Sequence, residues 1–287
     1  MGCAPSAVAA AADGSGIVAL RGVLQERAST HGAMAAVTQP ALLNSALLHL
    51  HMPGVALSAD EADIVGRALA FLPVLQTLDL RDCGLDGDGI ASLANGMGAA
   101  RLSALQTLLL GGNWQECMFG AAVACVEAIG SGLVLGGATS LTTLSVPNGM
   151  LPKGAAALCE ALVALSPPLT ALDVSDSRFG CGGARALRDA HRRAPFASLQ
   201  HLDLFACHIG PRGAEAFCET LRDAPSAGHP CCALPLRTLC LADNAIEDYG
   251  LAAFARAYRS NRRVAASLTD LDLSSNGIGL EGDRYAR

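Results

Sequence analysis

A short leucine pattern recurs along most of this 287-residue chain. Its form is Leu-x-x-Leu-x-Leu, followed after three residues by Asn or Cys and two residues later by another apolar side chain. Clear or looser copies begin at eight positions: Leu47, Leu75, Leu105, Leu141, Leu169, Leu199, Leu236 and Leu268. The starts are 28, 30, 36, 28, 30, 37 and 32 residues apart. Each unit therefore has room for a strand, a turn and a helix of about three turns.

The second half of each unit has helical spacing. In one unit Gly89, Leu93 and Met97 are four residues apart, which places them on one face of a helix. The spacing recurs in two later units, at Gly213, Phe217 and Leu221 and at Gly250, Phe254 and Tyr258. In the first half, leucines alternate with variable residues, as in a strand. These patterns predict an α/β solenoid with parallel strands on its concave face and helices on its convex face.

The Asn or Cys position is predicted to lie inside the solenoid, where each strand turns. An Asn side chain there can satisfy backbone groups of its own turn and of the adjacent repeat. Asn113, Asn244 and Asn276 can do this, and Cys83 and Cys207 can do it weakly. Three units carry another residue at this point: Val55, Gly149 and Ser177. We therefore expect an uneven ladder of internal hydrogen bonds.

Residues 1–46 do not fit the repeat. We predict a flexible N-terminal tip and a helical cap there, followed by a repeat domain over residues 47–287 whose eighth unit is incomplete. The chain begins Met-Gly-Cys-Ala-Pro-Ser, which matches the myristoylation pattern at Gly2 and offers Cys3 for palmitoylation. Two acyl chains anchor a protein stably, whereas one binds membranes marginally. The start is either such an anchor or a chance Gly-Cys sequence.

Composition excludes several classes of protein. The chain has 20 basic and 26 acidic residues, which counts against nucleic-acid binding. Apolar residues make up 51%, so a disordered chain is excluded. The longest uncharged run, residues 128–152, is broken by Gly and Pro and predicts no membrane span. The 11 cysteines without a secretory signal indicate reduced thiols and a cytoplasmic protein, with membrane contact only through N-terminal acylation.

No motif predicts a catalytic, cofactor-binding or metal-binding residue. A nucleophile elbow, a phosphate-binding loop, a zinc-binding His pair and a dinucleotide fingerprint are all missing from the sequence. The Asp86-Gly-Asp88 segment resembles part of a calcium loop, but Gly84 stands where a ligand is required, so we interpret it as a turn. One group of thiols and an imidazole lacks the spacing of a common zinc site: Cys218, His229, Cys231, Cys232 and Cys240.

Acidic residues recur four and seven positions after the first leucine of a unit, where side chains are predicted to face the concave side. They are either solvated residues of a common repeat phrase or a surface that concentrates a basic protein partner. Phe205 adds an apolar anchor and Arg237 interrupts the stripe, while Trp114 fits core or anchor equally. The predicted partner-binding residues are Asp79, Asp82, Asp173, Asp176, Asp203, Phe205, Arg237, Asp243 and Asp272.

A basic cluster is predicted on the outer face of the fifth helix. It comprises Arg185, Arg188, Arg192 and Arg193, at helical spacings of three and four. A solvated helix face is the simpler interpretation, and contact with acidic lipid headgroups or an acidic partner is the alternative.

The units resemble ribonuclease-inhibitor-like leucine-rich repeats, as in Leu236-Arg-Thr-Leu-Cys-Leu-Ala-Asp-Asn244-Ala-Ile246. The resemblance covers about residues 47–287 and implies a horseshoe that binds other proteins. Our leading hypothesis is therefore a non-enzymatic interaction scaffold that binds a protein partner on its concave face. The family also contains Ran GTPase-activating protein and the sensing ends of NOD-like receptors. These members imply two alternatives: a GTPase-activating or regulatory protein for a small GTPase, or a ligand-sensing module.

Overall fold

A computed structural model describes residues 46–113, 119–148, 151–194, 196–222, 234–261 and 266–279. Eight three-residue strands lie within these ranges: β1 His49–His51, β2 Thr77–Asp79, β3 Thr107–Leu109, β4 Thr143–Ser145, β5 Ala171–Asp173, β6 His201–Asp203, β7 Thr238–Cys240 and β8 Asp270–Asp272. Seven α-helices alternate with them: α1 Ala59–Leu69, α2 Gly87–Ala99, α3 Phe119–Gly136, α4 Pro152–Leu165, α5 Gly180–Arg193, α6 Gly210–Cys218 and α7 Glu247–Ser260. A 3-10 turn, Glu219–Leu221, extends α6.

Several predicted features lie outside the described residues. Residues 1–45, which contain nearly all of the predicted tip and cap, are among them, and so are the two predicted acylation positions Gly2 and Cys3. Trp114 and most of the cysteine-rich insertion, residues 223–233, also lie outside the described part of the chain.

The strands form one open parallel sheet in chain order, β1 to β8. Each strand begins two residues after the first leucine of its unit, so the repeat positions in the sequence are confirmed. The central leucines pair in register from Leu50 to Leu271. In β1 to β7 these leucines are buried against the helical layer, whereas all three residues of β8 are exposed.

The helices occupy the other side of the sheet. Packed helices lie about 8–10 Å apart and strands about 4.8 Å apart, so the sheet becomes the concave side of an α/β solenoid. Two glycines bring α1 and α2 into close contact. A Cβ atom at Gly96 of α2 would overlap the backbone of Gly66 in α1, so the contact requires glycine. Among the described residues, no helix has the length and apolar character needed to cross a bilayer.

The predicted helix face is buried in α2, where Gly89, Leu93 and Met97 all lie in the core. In α7 the pattern departs at Tyr258, which is 36% exposed and stacks on Phe254 with ring centroids 6.2 Å apart. Tyrosine suits such a half-exposed place because its ring is apolar and its tip is polar. Asp86 accepts a hydrogen bond from the Gly89 N–H at 2.8 Å, so the segment interpreted as a turn caps α2.

The internal ladder has the predicted contacts. Asn244 Oδ1 accepts from the N–H groups of Cys207 and Ile209 in the preceding repeat, at 3.0 and 3.1 Å. Its Nδ2 donates to three carbonyls, of which Leu204 is the nearest at 2.7 Å. Asn113 and Asn276 make equivalent bonds. The weaker role of cysteine is also confirmed, since the Cys83 and Cys207 thiols each donate to one carbonyl of the preceding repeat at 3.1 Å.

Candidate protein-binding surface

Two rows of side chains cross the concave face, because the first and third residues of each strand point away from the helices. The first row is His49, Thr77, Thr107, Thr143, Ala171, His201, Thr238 and Asp270. The second row is His51, Asp79, Leu109, Ser145, Asp173, Asp203, Cys240 and Asp272. Four of the nine predicted partner-binding residues therefore lie in the second row, and two of them, Asp173 and Asp203, are direct neighbours.

The aspartates of the second row close the turns that end their strands. Each accepts a hydrogen bond through Oδ1 from the N–H two residues later, at 3.3 Å for Asp79, 3.0 Å for Asp173, 2.9 Å for Asp203 and 2.9 Å for Asp272. This is the Asx turn that short carboxylate side chains favour. Aspartate therefore recurs at this position because its carboxylate closes the backbone turn. Any role in binding a partner protein is additional to that structural role.

Asp82, Asp176 and Asp243 lie seven residues after the first leucine of their units, and their backbones are left-handed, with φ of 56°, 51° and 53°. The same position is left-handed in the other units, at Gly54, Gly112, Asn148, Ala206 and Ser275. Aspartate enters this region more readily than most residues. Sequence reasoning assigned these three exposed carboxylates to partner binding and missed this local cause.

The N-terminal part of the second row carries little free negative charge. Asp79 is 2% exposed and lies under the guanidinium of Arg81, whose Nε and Nη2 donate at 2.9 and 2.7 Å. Burial raises the pKa of Asp79, but the hydrogen bonds and charge of Arg81 outweigh burial and hold it below its usual value. His51 Nδ1 lies 3.6 Å from the same carboxylate. The exposed groups here are Arg81 and His51.

From β5 onward the concave face is acidic. We name Asp173, Asp176, Asp203, Asp243, Asp270 and Asp272 the C-terminal acidic surface. Among the described residues, no ion pair neutralises any of its members. Asp173 Oδ2 accepts from the Ser145 hydroxyl at 2.7 Å. Burial raises the pKa of Asp203, and the negative charge of the neighbouring Asp173 raises it further. The hydrogen bond from the Phe205 N–H lowers this pKa but does not cancel the rise. The ionised form of Asp203 is therefore less favoured than that of a solvated aspartate.

Phe205 lies beside this charge, two residues after Asp203, and is 39% exposed. It occupies the position that Arg81 has in the second unit, and serines occupy it after Asp173 and Asp272. Arg237 is exposed one residue before β7, and its carbonyl accepts from the Thr269 and Asp270 N–H groups. The structure therefore places an aromatic ring and one cation at the edges of the C-terminal acidic surface.

The basic cluster on α5 is largely paired. Arg192 contacts Glu219 at 2.6 Å, Arg188 contacts Asp189 at 2.8 Å, and Arg193 contacts Glu160 of α4. The Arg193 bridge connects α5 to α4, the Arg192 bridge connects it to the turn that extends α6, and the Arg188 bridge lies within α5, whereas Arg185 is exposed. The simpler interpretation, a solvated outer face, therefore fits the observed contacts better than a lipid-binding patch.

No group of three His, Cys, Asp or Glu side chains suited to a metal ion occurs within the described ranges. Of the thiols discussed above, Cys218 is buried in α6 and Cys240 lies in the second row of the concave face. Burial raises the pKa of Cys218 to about 12. That thiol therefore stays protonated at neutral pH and is a poor metal ligand or nucleophile.

Comparisons with known proteins agree with the repeat. The Leucine Rich repeat family model matches residues 72–94, 197–218 and 264–282. Ran GTPase-activating protein of Drosophila melanogaster is 32% identical over 136 residues, covering 46% of this chain and 22% of that protein. Ran GTPase-activating protein 1 of Xenopus laevis is 29% identical over 132 residues, covering 45% and 22%. The matches span about a fifth of the length of these relatives.

Among solved structures, a chain of the yeast Rad7 and Elc1 complex matches 92% of this chain and 82% of its own length, at 15% identity and a TM-score of 0.27. The family assignment rests instead on the sequence matches, the eight-strand parallel sheet and the asparagine ladder. The chain is a leucine-rich repeat protein that resembles Ran GTPase-activating protein over part of its length.

Proposed function

We propose that this chain is a non-enzymatic protein-binding scaffold whose C-terminal acidic surface receives basic side chains of a partner. One contrast within the molecule carries the proposal. In the second unit Arg81 neutralises Asp79 through two hydrogen bonds. In the sixth unit Phe205 takes the place of that arginine, and among the described residues no ion pair involves Asp203.

The geometry at Asp79 indicates which chemical group would fit at Asp203. A guanidinium makes two parallel bonds to a carboxylate, and these are stronger than bonds between neutral groups. Asp173 and Asp203 are paired neighbours across two strands, so a partner's arginine would meet both carboxylates. The Phe205 ring would add apolar contact and a face for the cation. Desolvating these carboxylates against a cation would also remove their mutual repulsion.

The experiment replaces Asp203 and Asp272 together by asparagine. Asparagine keeps an oxygen that can accept the turn hydrogen bond, so folding should be retained while two charges are lost. We expect the association rate with a partner isolated on the wild-type chain to fall about tenfold at low salt, and the difference to shrink at high salt. Surface plasmon resonance across a salt series measures this.

The matched control is Asp60→Asn with Asp88→Asn, which removes two exposed charges from the first turns of α1 and α2. This pair should leave the association rate within about twofold of wild type. Equal rates for the wild type and the concave variant would contradict the concave-face proposal.

A second candidate function is regulation of a small GTPase. It is supported by the 32% identity to Ran GTPase-activating protein of Drosophila melanogaster. We expect the purified chain to accelerate phosphate release from at least one member of a panel of GTP-loaded small GTPases that includes Ran. Single-turnover phosphate release measures this, with Asp203→Asn/Asp272→Asn run alongside. No acceleration across the panel would remove this candidate and leave the scaffold proposal standing.

A further inference from the structure

The convex layer contains a groove between α3 and α4 that the concave-face proposal does not use. It has a volume of about 720 Å3, and its lining includes Val134 and Leu135 of α3 and three alanines of α4, Ala157, Ala161 and Ala164. Leu135 is 75% exposed and Val134 is 38% exposed. These two exposed apolar side chains are adjacent on α3 and line the same groove as the three alanines of α4.

The sequence of α3 agrees with a covered outer face. The helix has 18 residues and a single charged side chain, Glu127. A surface helix ordinarily carries polar residues on the side away from the core. On the other side of α4, ion pairs connect neighbours, as between Arg193 of α5 and Glu160. Among the described residues, no such bridge joins α3 to α4.

The shape of the groove indicates a helical occupant. Its α3 wall follows the spacing 127, 130, 131, 134 and 135, and its α4 wall follows 157, 160, 161 and 164. Both are single faces of a helix. From Glu127 to Leu135 the wall is about 12 Å long, or about two helical turns. The close contact of Gly130 with Ala161 keeps the floor shallow and free of large side chains. A third helix can lay a ridge of large apolar side chains there.

The charges of the groove lining indicate which charged residues should flank the apolar face of the bound helix. The lining contains two carboxylates, Glu127 and Glu160, and no cation. Glu160 also contacts Arg193 and is still 61% exposed, while Glu127 is exposed without an ion pair among the described residues. We propose that the α3–α4 groove binds an amphipathic helix of a partner protein, which inserts large apolar residues and places Lys or Arg beside Glu127.

The test uses the full chain and two fluorescently labelled, amidated helical peptides. The basic peptide carries leucines at i, i+3, i+4 and i+7 with lysines on both flanks, and the acidic peptide replaces each lysine by glutamate. Fluorescence anisotropy should show saturable binding of the basic peptide, at least tenfold tighter than the acidic one. Equal affinity for both peptides, or no binding of either, would overturn the proposal.

Variants locate the binding. Leu135→Ser and Ala164→Trp change exposed groove residues, and each should lower the affinity for the basic peptide at least fivefold. Circular dichroism should show that both variants fold as the wild type does. Glu127→Gln should reduce the preference for the basic peptide. Val74→Ser, which replaces a 39% exposed valine elsewhere, is the matched control and should leave affinity unchanged.

Two outcomes would assign the peptide or the groove differently. If Asp203→Asn/Asp272→Asn removes peptide binding and Leu135→Ser does not, the peptide binds the concave face and the groove proposal is overturned. If the chain forms a dimer in sedimentation velocity that Leu135→Ser dissociates, the occupant is a second copy of this chain and the partner-helix proposal is overturned. The first result would support the concave-face proposal, and the second would leave it unaffected, since the two surfaces share no residue.

Discussion

Gly96→Ala is expected to lower the free energy of unfolding by about 3 kcal/mol or more, although alanine is the better helix former. A methyl group at Gly96 would overlap the Cα and carbonyl carbon of Gly66. Backbone atoms cannot rotate away as a side chain can, so α1 and α2 must separate. Separation would loosen the buried Leu93 and Met97 as well. Urea unfolding followed by circular dichroism measures the loss.

Gly98→Ala provides the matched control two residues further along α2. A Cβ atom there would meet the Leu135 side chain at 3.3 Å, and that exposed side chain can move. We expect stability within about 1 kcal/mol of wild type, with helix propensity favouring alanine. If Gly96→Ala were as stable as Gly98→Ala, the result would contradict the close contact between α1 and α2 at Gly66 and Gly96.

The strand positions and the asparagine ladder could be predicted because they repeat. A leucine at a fixed offset in eight units identifies the buried side of a strand, and an amide at a fixed offset identifies the turn. The glycine contact could not be predicted in this way. Gly66 and Gly96 are 30 residues apart, and each alone is one glycine in a helix.

The concave charges show a second limit of sequence reasoning. The pattern places Asp79 and Asp203 at the same position of their units, and both do close a turn. Their electrostatic states nevertheless differ, because Arg81 forms an ion pair with Asp79, whereas the Phe205 side chain has no group that could pair with Asp203. Burial and pairing depend on a neighbour two residues away and on the adjacent repeats. Of the aspartates at this strand position, Asp79 is therefore paired with a cation, whereas no described ion pair involves Asp173, Asp203 or Asp272.

Asn244→Ala is expected to lower the free energy of unfolding by about 3–5 kcal/mol. Asn244 is 1% exposed and makes five hydrogen bonds through its side chain. Alanine would leave the N–H groups of Cys207 and Ile209 without acceptors, and each buried unsatisfied group costs about 1–3 kcal/mol. Water cannot easily replace the amide, because the site lies inside the solenoid.

Two further variants separate this cause from simple loss of packing. Asn244→Cys should recover part of the stability, because the Cys83 and Cys207 thiols already donate to a preceding carbonyl at this position. Asn95→Ala, at an exposed site of α2, should be neutral. Urea unfolding ranks the variants, and hydrogen exchange at the Cys207 and Ile209 amides should accelerate in Asn244→Ala alone. Because neighbouring repeats stabilise one another, the faster exchange should extend into the sixth and seventh units and fade toward the first. Unchanged exchange at these two amides would show that the ladder does not hold adjacent repeats together.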